Sequence, residues 1–220
     1  MSFSSAPTTE SSPSRPLLRG WLHLAGAVIL PCCSPILLVR TQTWAQTGWV
    51  LCYLVGVESM LITSALFHRV RWTPAHRRVL KRADHSAIFL AIAGSYLAVA
   101  GLTMHGRIRL VLLLVVAGGA GVGIAIRQLA IDTPKWANTL PYLVVGWAAV
   151  AVLPQIYRGG GTTCFLLIVA GGLAYTLGAL AYALRRPRLA PRVFGYHELF
   201  HAGTLLGAGL HFWALGVALH

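Results

Sequence analysis

The stretch "YHELFH" at 196–201 sets His197 and His201 four residues apart, with Glu198 between them. On a helix, side chains at that spacing share a face. The stretch "SALFH" at 64–68 sets Ser64 and His68 at the same spacing, and Asp84 opens "DHSAIF" at 84–89. Three imidazoles are a ligand set for a catalytic zinc, which keeps a fourth position open. A carboxylate nearby can orient a ligand or accept a proton. Each residue also has a plainer use. A histidine pair can anchor a helix at a membrane interface, Asp84 can cap a helix N-terminus, and Ser64 can be a small packing residue. Metal chemistry requires that the chain bring all five to one place.

The elements that must do this are membrane helices. Of 220 residues, 56% are hydrophobic and only 10% charged, against about a quarter charged in an ordinary soluble domain. A helix needs about 20 mostly apolar residues to cross the hydrocarbon. Seven stretches qualify, at 20–39, 47–68, 85–104, 109–126, 139–157, 163–184 and 197–219. The alternating pattern of a membrane barrel is absent. The expectation is an all-α integral membrane protein, a seven-helix bundle over residues 17–220 preceded by a disordered tail at 1–16. That tail, "MSFSSAPTTESSPSRP", is too poor in apolar residues to fold. No small-residue cleavage site follows it, so it is not read as a signal peptide.

The basic residues orient the bundle. Two fall in the tail, six in the second connection, two in the fourth and four in the sixth, which puts fourteen of the eighteen on one side. Arg40, Arg107, Arg109 and Arg158 make up the other four. Positive charge marks the cytoplasmic side, so the N-terminus is expected inside and His220 outside. The net charge of +13 is then loop chemistry, and no nucleic-acid partner is needed. With this orientation the second span ends, and the third and seventh begin, at the cytoplasmic face. His68, His197, His201, Asp84 and Ser64 come to one depth.

Other polar residues are read as structural. Glu58 and His211 each lie about 15 Å along their helices from the nearest of the three histidines, too far to join them. Glu58 is an intramembrane acid, read as protonated and hydrogen-bonded, and His211 as bonded within the bundle. His76, His85 and His105 are placed at interfaces, facing water or headgroups, and His23 is close enough in depth to support the site from outside the ligand set. Cys32, Cys33, Cys52 and Cys164 form no metal-binding pattern and are read as small apolar residues, with a Cys52–Cys164 disulfide as the other possibility. Gly118, Gly119, Gly121 and Gly123, and Gly171, Gly172 and Gly178, lie inside spans and are read as helix-packing residues.

The ordered motifs "RGWLH" at 19–23, "SALFHR" at 64–69, "DHSAIFLAIAGSY" at 84–96, "GGLAYTLGALAYAL" at 171–184 and "YHELFHAGTLLGAGLHF" at 196–212 resemble those of the haemolysin III proteins. These are the bacterial branch of the progestin and adipoQ receptor superfamily. The resemblance covers nearly the whole chain after residue 15. It departs in "LAVAG" after "AGSY", where the family often has a proline. It implies seven helices with a cytoplasmic N-terminus in a bacterial plasma membrane. It assigns zinc to His68, His197 and His201, and places Ser64 and Asp84 at the reaction centre. Two functional classes follow. One is a zinc-dependent hydrolase whose substrate is a membrane lipid amide or ester. The other is a non-enzymatic pore-former or receptor with structural zinc.

Overall fold

The computed structural model describes residues 16–130, 132–187, 189–190 and 192–219. Nearly all of the expected N-terminal tail and the C-terminal His220 lie outside them. The described residues form α-helices and one 3-10 turn, with no β-strand. In chain order the helices are α1 (Trp21–Leu38), α2 (Trp44–Arg69), α3 (Pro74–Thr103), α4 (Gly106–Leu129), α5 (Lys135–Trp147), α6 (Leu153–Leu184) and α7 (Tyr196–Ala218). Among the described residues, five stretches are long and apolar enough to cross a membrane: α1, α2, α3, α4 and the run Lys135–Leu184. The chain is a multi-pass membrane protein. The helix α7, which carries Glu198 and three histidines, falls outside that set.

Local chemistry sets the ends that matter. Thr43 caps α2 by accepting the Gln46 N–H at 3.2 Å, and Thr73 caps α3 by accepting the His76 N–H at 3.3 Å. Pro74 follows as the first residue of α3, where its missing N–H costs nothing. This start lies eleven residues before the expected span. Asp84 therefore sits on the third turn of α3 and does not cap it. At α7 the Glu198 carboxylate accepts the Gly195 N–H at 2.8 Å, which satisfies one of the free donors of the first turn.

The fifth and sixth stretches differ from the expected pair of separate helices. A 3-10 turn at Ala148–Val152 joins α5 directly to α6. Pro154 near the start of α6 cannot donate to a carbonyl one turn back. The Tyr96 hydroxyl of α3 packs against the turn, donating to the Gly146 carbonyl at 2.7 Å and accepting the Ala149 N–H at 2.5 Å. The second break is at Gly161, whose φ of 76° interrupts α6.

In a bilayer, apolar side chains gain little by leaving lipid, so helices are held by close packing and buried polar contacts. The most extensive contacts run between α2 and α3 and between α6 and α7. On α6 and α7 the partners are small. A Cβ on Gly203 would stand 2.8 Å from the Ala174 carbonyl oxygen, so any larger residue would push the helices apart. Tyr53 of α2 donates to the Ala208 carbonyl of α7 at 2.5 Å. The glycine expectation holds for Gly119, Gly123, Gly171 and Gly178, but a Cβ on Gly118, Gly121 or Gly172 would meet open space. All four cysteines are free, with Cys52 half-buried and Cys164 buried. Arg127, counted as a loop cation, is instead buried in the last turn of α4 and donates to Asn138 and to Thr133 of the following segment.

Candidate metal centre

His68 lies in the last turn of α2, His197 in the first turn of α7 and His201 one turn further on. Each offers one nitrogen, and the three nitrogens lie within 4.8 Å of one another. The Nε2 atoms of His68 and His197 face each other at 3.2 Å. The rings of His197 and His201 are 4.6 Å apart by centroid, and those of His68 and His201 are 5.3 Å apart. Asp84 directs Oδ2 towards His68 Nε2 at 3.9 Å. Ser64, one turn before His68 and buried, lines the same cavity as Asp84. All five residues named from the sequence share one site.

Several supports were not legible from spacing. The His23 ring lies flat on His201, with centroids 3.8 Å apart and planes 4° from parallel, and fixes that ring's plane. His23 is buried, which agrees with a supporting place outside the ligand set. The Arg19 Nε donates to the Glu198 carboxylate at 2.5 Å, and Glu198 is only 1% exposed. This pair ties the segment before α1 to the first turn of α7, beside His197 and His201. Nothing local in sequence marks a pair 179 residues apart. Gly20, the N-cap of α1, has φ of 79°, and a Cβ there would lie 2.8 Å from His68 Cβ. Only glycine lets the start of α1 pass so close to a ligand candidate. Tyr182 of α6 packs edge-on against His197 at 5.2 Å.

The site stands at one end of a cavity of about 420 Å³, which is within the usual range for small-molecule sites. His201 and His211 both line it, so it runs some 15 Å along α7. Its walls are mostly apolar, among them Met60, Ile88, Leu143 and Val169. The expectation that His85 faces water or headgroups is not met. It lines the cavity, and Tyr142 reaches its Nδ1 at 3.4 Å and donates to its carbonyl at 3.2 Å, because α3 continues outward past it. His76 is exposed and bonded to Thr73, and His105 is exposed. His211 approaches the Ile168 carbonyl at 3.3 Å. Glu58 has one buried oxygen without a hydrogen-bond partner.

The donor set fits zinc. Three imidazole nitrogens converge from two helices, and the carboxylate beside them is placed to hold a ligand ring or take a proton. Two facing imidazole nitrogens can share only one proton, and a cation between the ligands would use both lone pairs.

Residues 11–212 match the family described as Haemolysin-III related. The chain is 26% identical over 196 residues to Hemolysin-3 of Bacillus cereus, covering 88% of this chain and 86% of that one. It is 28% identical over 187 residues to Heptahelical transmembrane protein ADIPOR2 of Oryza sativa subsp. japonica, covering 76% and 80%. It is 25% identical over 177 residues to Monocyte to macrophage differentiation factor of Homo sapiens, covering 77% and 68%. With the family match extending over most of the chain, the protein belongs to the haemolysin III family of the progestin and adipoQ receptor superfamily.

Proposed function

We propose that the protein is a zinc-dependent hydrolase of a lipid amide or ester, embedded in the bacterial plasma membrane with seven crossings and a cytoplasmic N-terminus. One observation carries the reading: three imidazoles and a carboxylate converge at the end of an apolar cavity. A brace between helices needs the ligands alone. A cavity some 15 Å long leading to them suits an acyl chain.

His68, His197 and His201 hold the metal. Bound there, zinc would polarise a carbonyl and make its water more acidic. Asp84 accepts the proton and returns it to the departing amine or alcohol. Ser64 holds the Asp84 carboxyl in place. His23 and the Arg19–Glu198 pair keep the α7 histidines in position. The apolar walls take the acyl tail and leave the scissile carbonyl at the histidine end.

The test is fatty-acid release from a panel of ceramides and acyl lipids by zinc-loaded protein. Wild type releases fatty acid from at least one, and Asp84→Asn does not while keeping its zinc. Release no greater than that of Asp84→Asn across the panel removes the hydrolase and leaves zinc as a structural brace. Orientation is tested separately. In a cysteine-free background, His76→Cys should react with impermeant reagent only after the cells are opened. Labelling on intact cells would reverse the orientation.

A further inference from the structure

The lining of the cavity is uneven in charge. At its histidine end stand Arg19, Arg77, Lys81 and Lys135, and Asp84 is the one carboxyl among the described lining residues. Two of these cations have acidic partners outside the cavity. Arg19 is paired with Glu198, and Lys81 with Asp132 at 2.7 Å. The other two are held by aromatic rings. The Arg77 guanidinium lies over Phe67 at 4.8 Å. The Lys135 ammonium lies over Tyr196 at 4.2 Å and Tyr182 at 4.7 Å, and donates to the Tyr196 hydroxyl at 2.5 Å.

Positive charge in loops follows from orientation, but it does not require cations facing an apolar cavity. Lys135 is half-buried with no carboxylate partner among the described residues, and a partly desolvated ammonium without a counter-charge is costly. Tyrosine faces and one hydroxyl offset only part of that cost. Tyr182 also packs against His197, so the ammonium is one side chain away from the metal candidates. An anionic group entering the cavity beside the histidines would meet Lys135, with Arg77 adding charge from α3.

We infer that the cavity selects an acyl lipid with a phosphate-bearing, net-anionic headgroup, and that Lys135 is the specificity-determining residue. The inference rests on the proposed placement of an acyl lipid in this cavity. Lysine binds phosphate through charge-assisted hydrogen bonds from a compact ammonium. The tyrosines hold that ammonium at the cavity wall and keep it from swinging into solvent.

The experiment uses the full-length protein in phosphatidylcholine nanodiscs. It follows displacement of a fluorescent fatty-acid probe by ceramide 1-phosphate, by ceramide of the same acyl chain, and by inorganic phosphate alone. Fatty-acid release is followed in parallel. For wild type, the phosphate-bearing lipid should displace the probe at about tenfold lower concentration than ceramide, the scale of one charge-assisted contact. Lys135→Gln should bring that ratio near one. Lys135→Arg should keep it, as should Arg71→Gln, which removes an exposed cation that does not line the cavity. A wild-type ratio near one, or a preference that survives Lys135→Gln, overturns the inference. Displacement by inorganic phosphate as effective as by the phosphate-bearing lipid assigns the site to a free ion and overturns it too. Preference without fatty-acid release sinks the hydrolase and leaves the binding specificity standing. Release without preference does the reverse.

Discussion

The histidine end of the bundle and its middle both carry buried polar groups, and they treat them differently. At the histidine end, α2, α3 and α7 each send ionisable side chains to one point, and a second layer from α1 and α6 packs behind them. In the middle, Glu58 and His211 stand singly. His211 leans on one carbonyl, and Glu58 leaves a buried oxygen without a partner. A single polar group can be absorbed by a bundle at a modest cost. Several that converge, each supported from behind, keep donor atoms aimed at the same point. Convergence across helices therefore separates a site from a tolerated polar residue, whereas burial alone does not.

The largest expected difference between the two regions is in metal content. His197→Ala should lower zinc, measured by elemental analysis, from one per chain to less than about a tenth, since two remaining imidazoles do not make a closed set. His211→Ala should leave it unchanged. Equal loss in both would erase the contrast. Next in size is the loss of chemistry without loss of metal. Asp84→Asn should lower fatty-acid release by about a hundredfold or more while zinc content stays within a factor of two, as expected for removing a general base. A parallel fall in zinc would make Asp84 a ligand.

A smaller effect belongs to the supporting layer. Arg19→Ala leaves Glu198 buried without its cation. Removing one partner of a fully buried pair costs about 3–5 kcal/mol. Arg19 keeps 23% of its side-chain surface, so about 2 kcal/mol is expected here, read from thermal unfolding in detergent. Unchanged stability would mean that Glu198 is held by the α7 N-terminus alone. The smallest effect should come from the middle. Glu58→Gln should shift stability by less than about 0.5 kcal/mol and leave zinc and fatty-acid release as they are. Loss of either function would move Glu58 into the site.

The contrast also explains what the sequence could say. His197 and His201 share a face because spacing along one helix is local information. Charge in the connections supplied a common depth for α2, α3 and α7, which was enough to group His68, Ser64 and Asp84 with them. Neighbours in the plane of the membrane are another matter. Nothing near Arg19 points to Glu198, and nothing near His23 says that it will lie flat on His201, because both depend on which helices stand side by side. His85 looked like an interface residue for the same reason: the extra turns of α3 before it are set by Thr73 and Pro74, while the cavity it faces is made by α5. The turn between α5 and α6 was hidden because a tyrosine from α3 stabilises it. The open faces at Gly118 and Gly121 show that a glycine run marks small volume and does not by itself identify a packed neighbour.

The central claim is that His68, His197 and His201 hold one zinc ion with a position left open for chemistry. X-ray absorption at the zinc edge of the purified protein tests it most directly. The account predicts three imidazole nitrogens at about 2.0–2.1 Å and one further light-atom scatterer that is not an imidazole. Sulfur at about 2.3 Å, four imidazoles, or a spectrum unchanged in His197→Ala would contradict it.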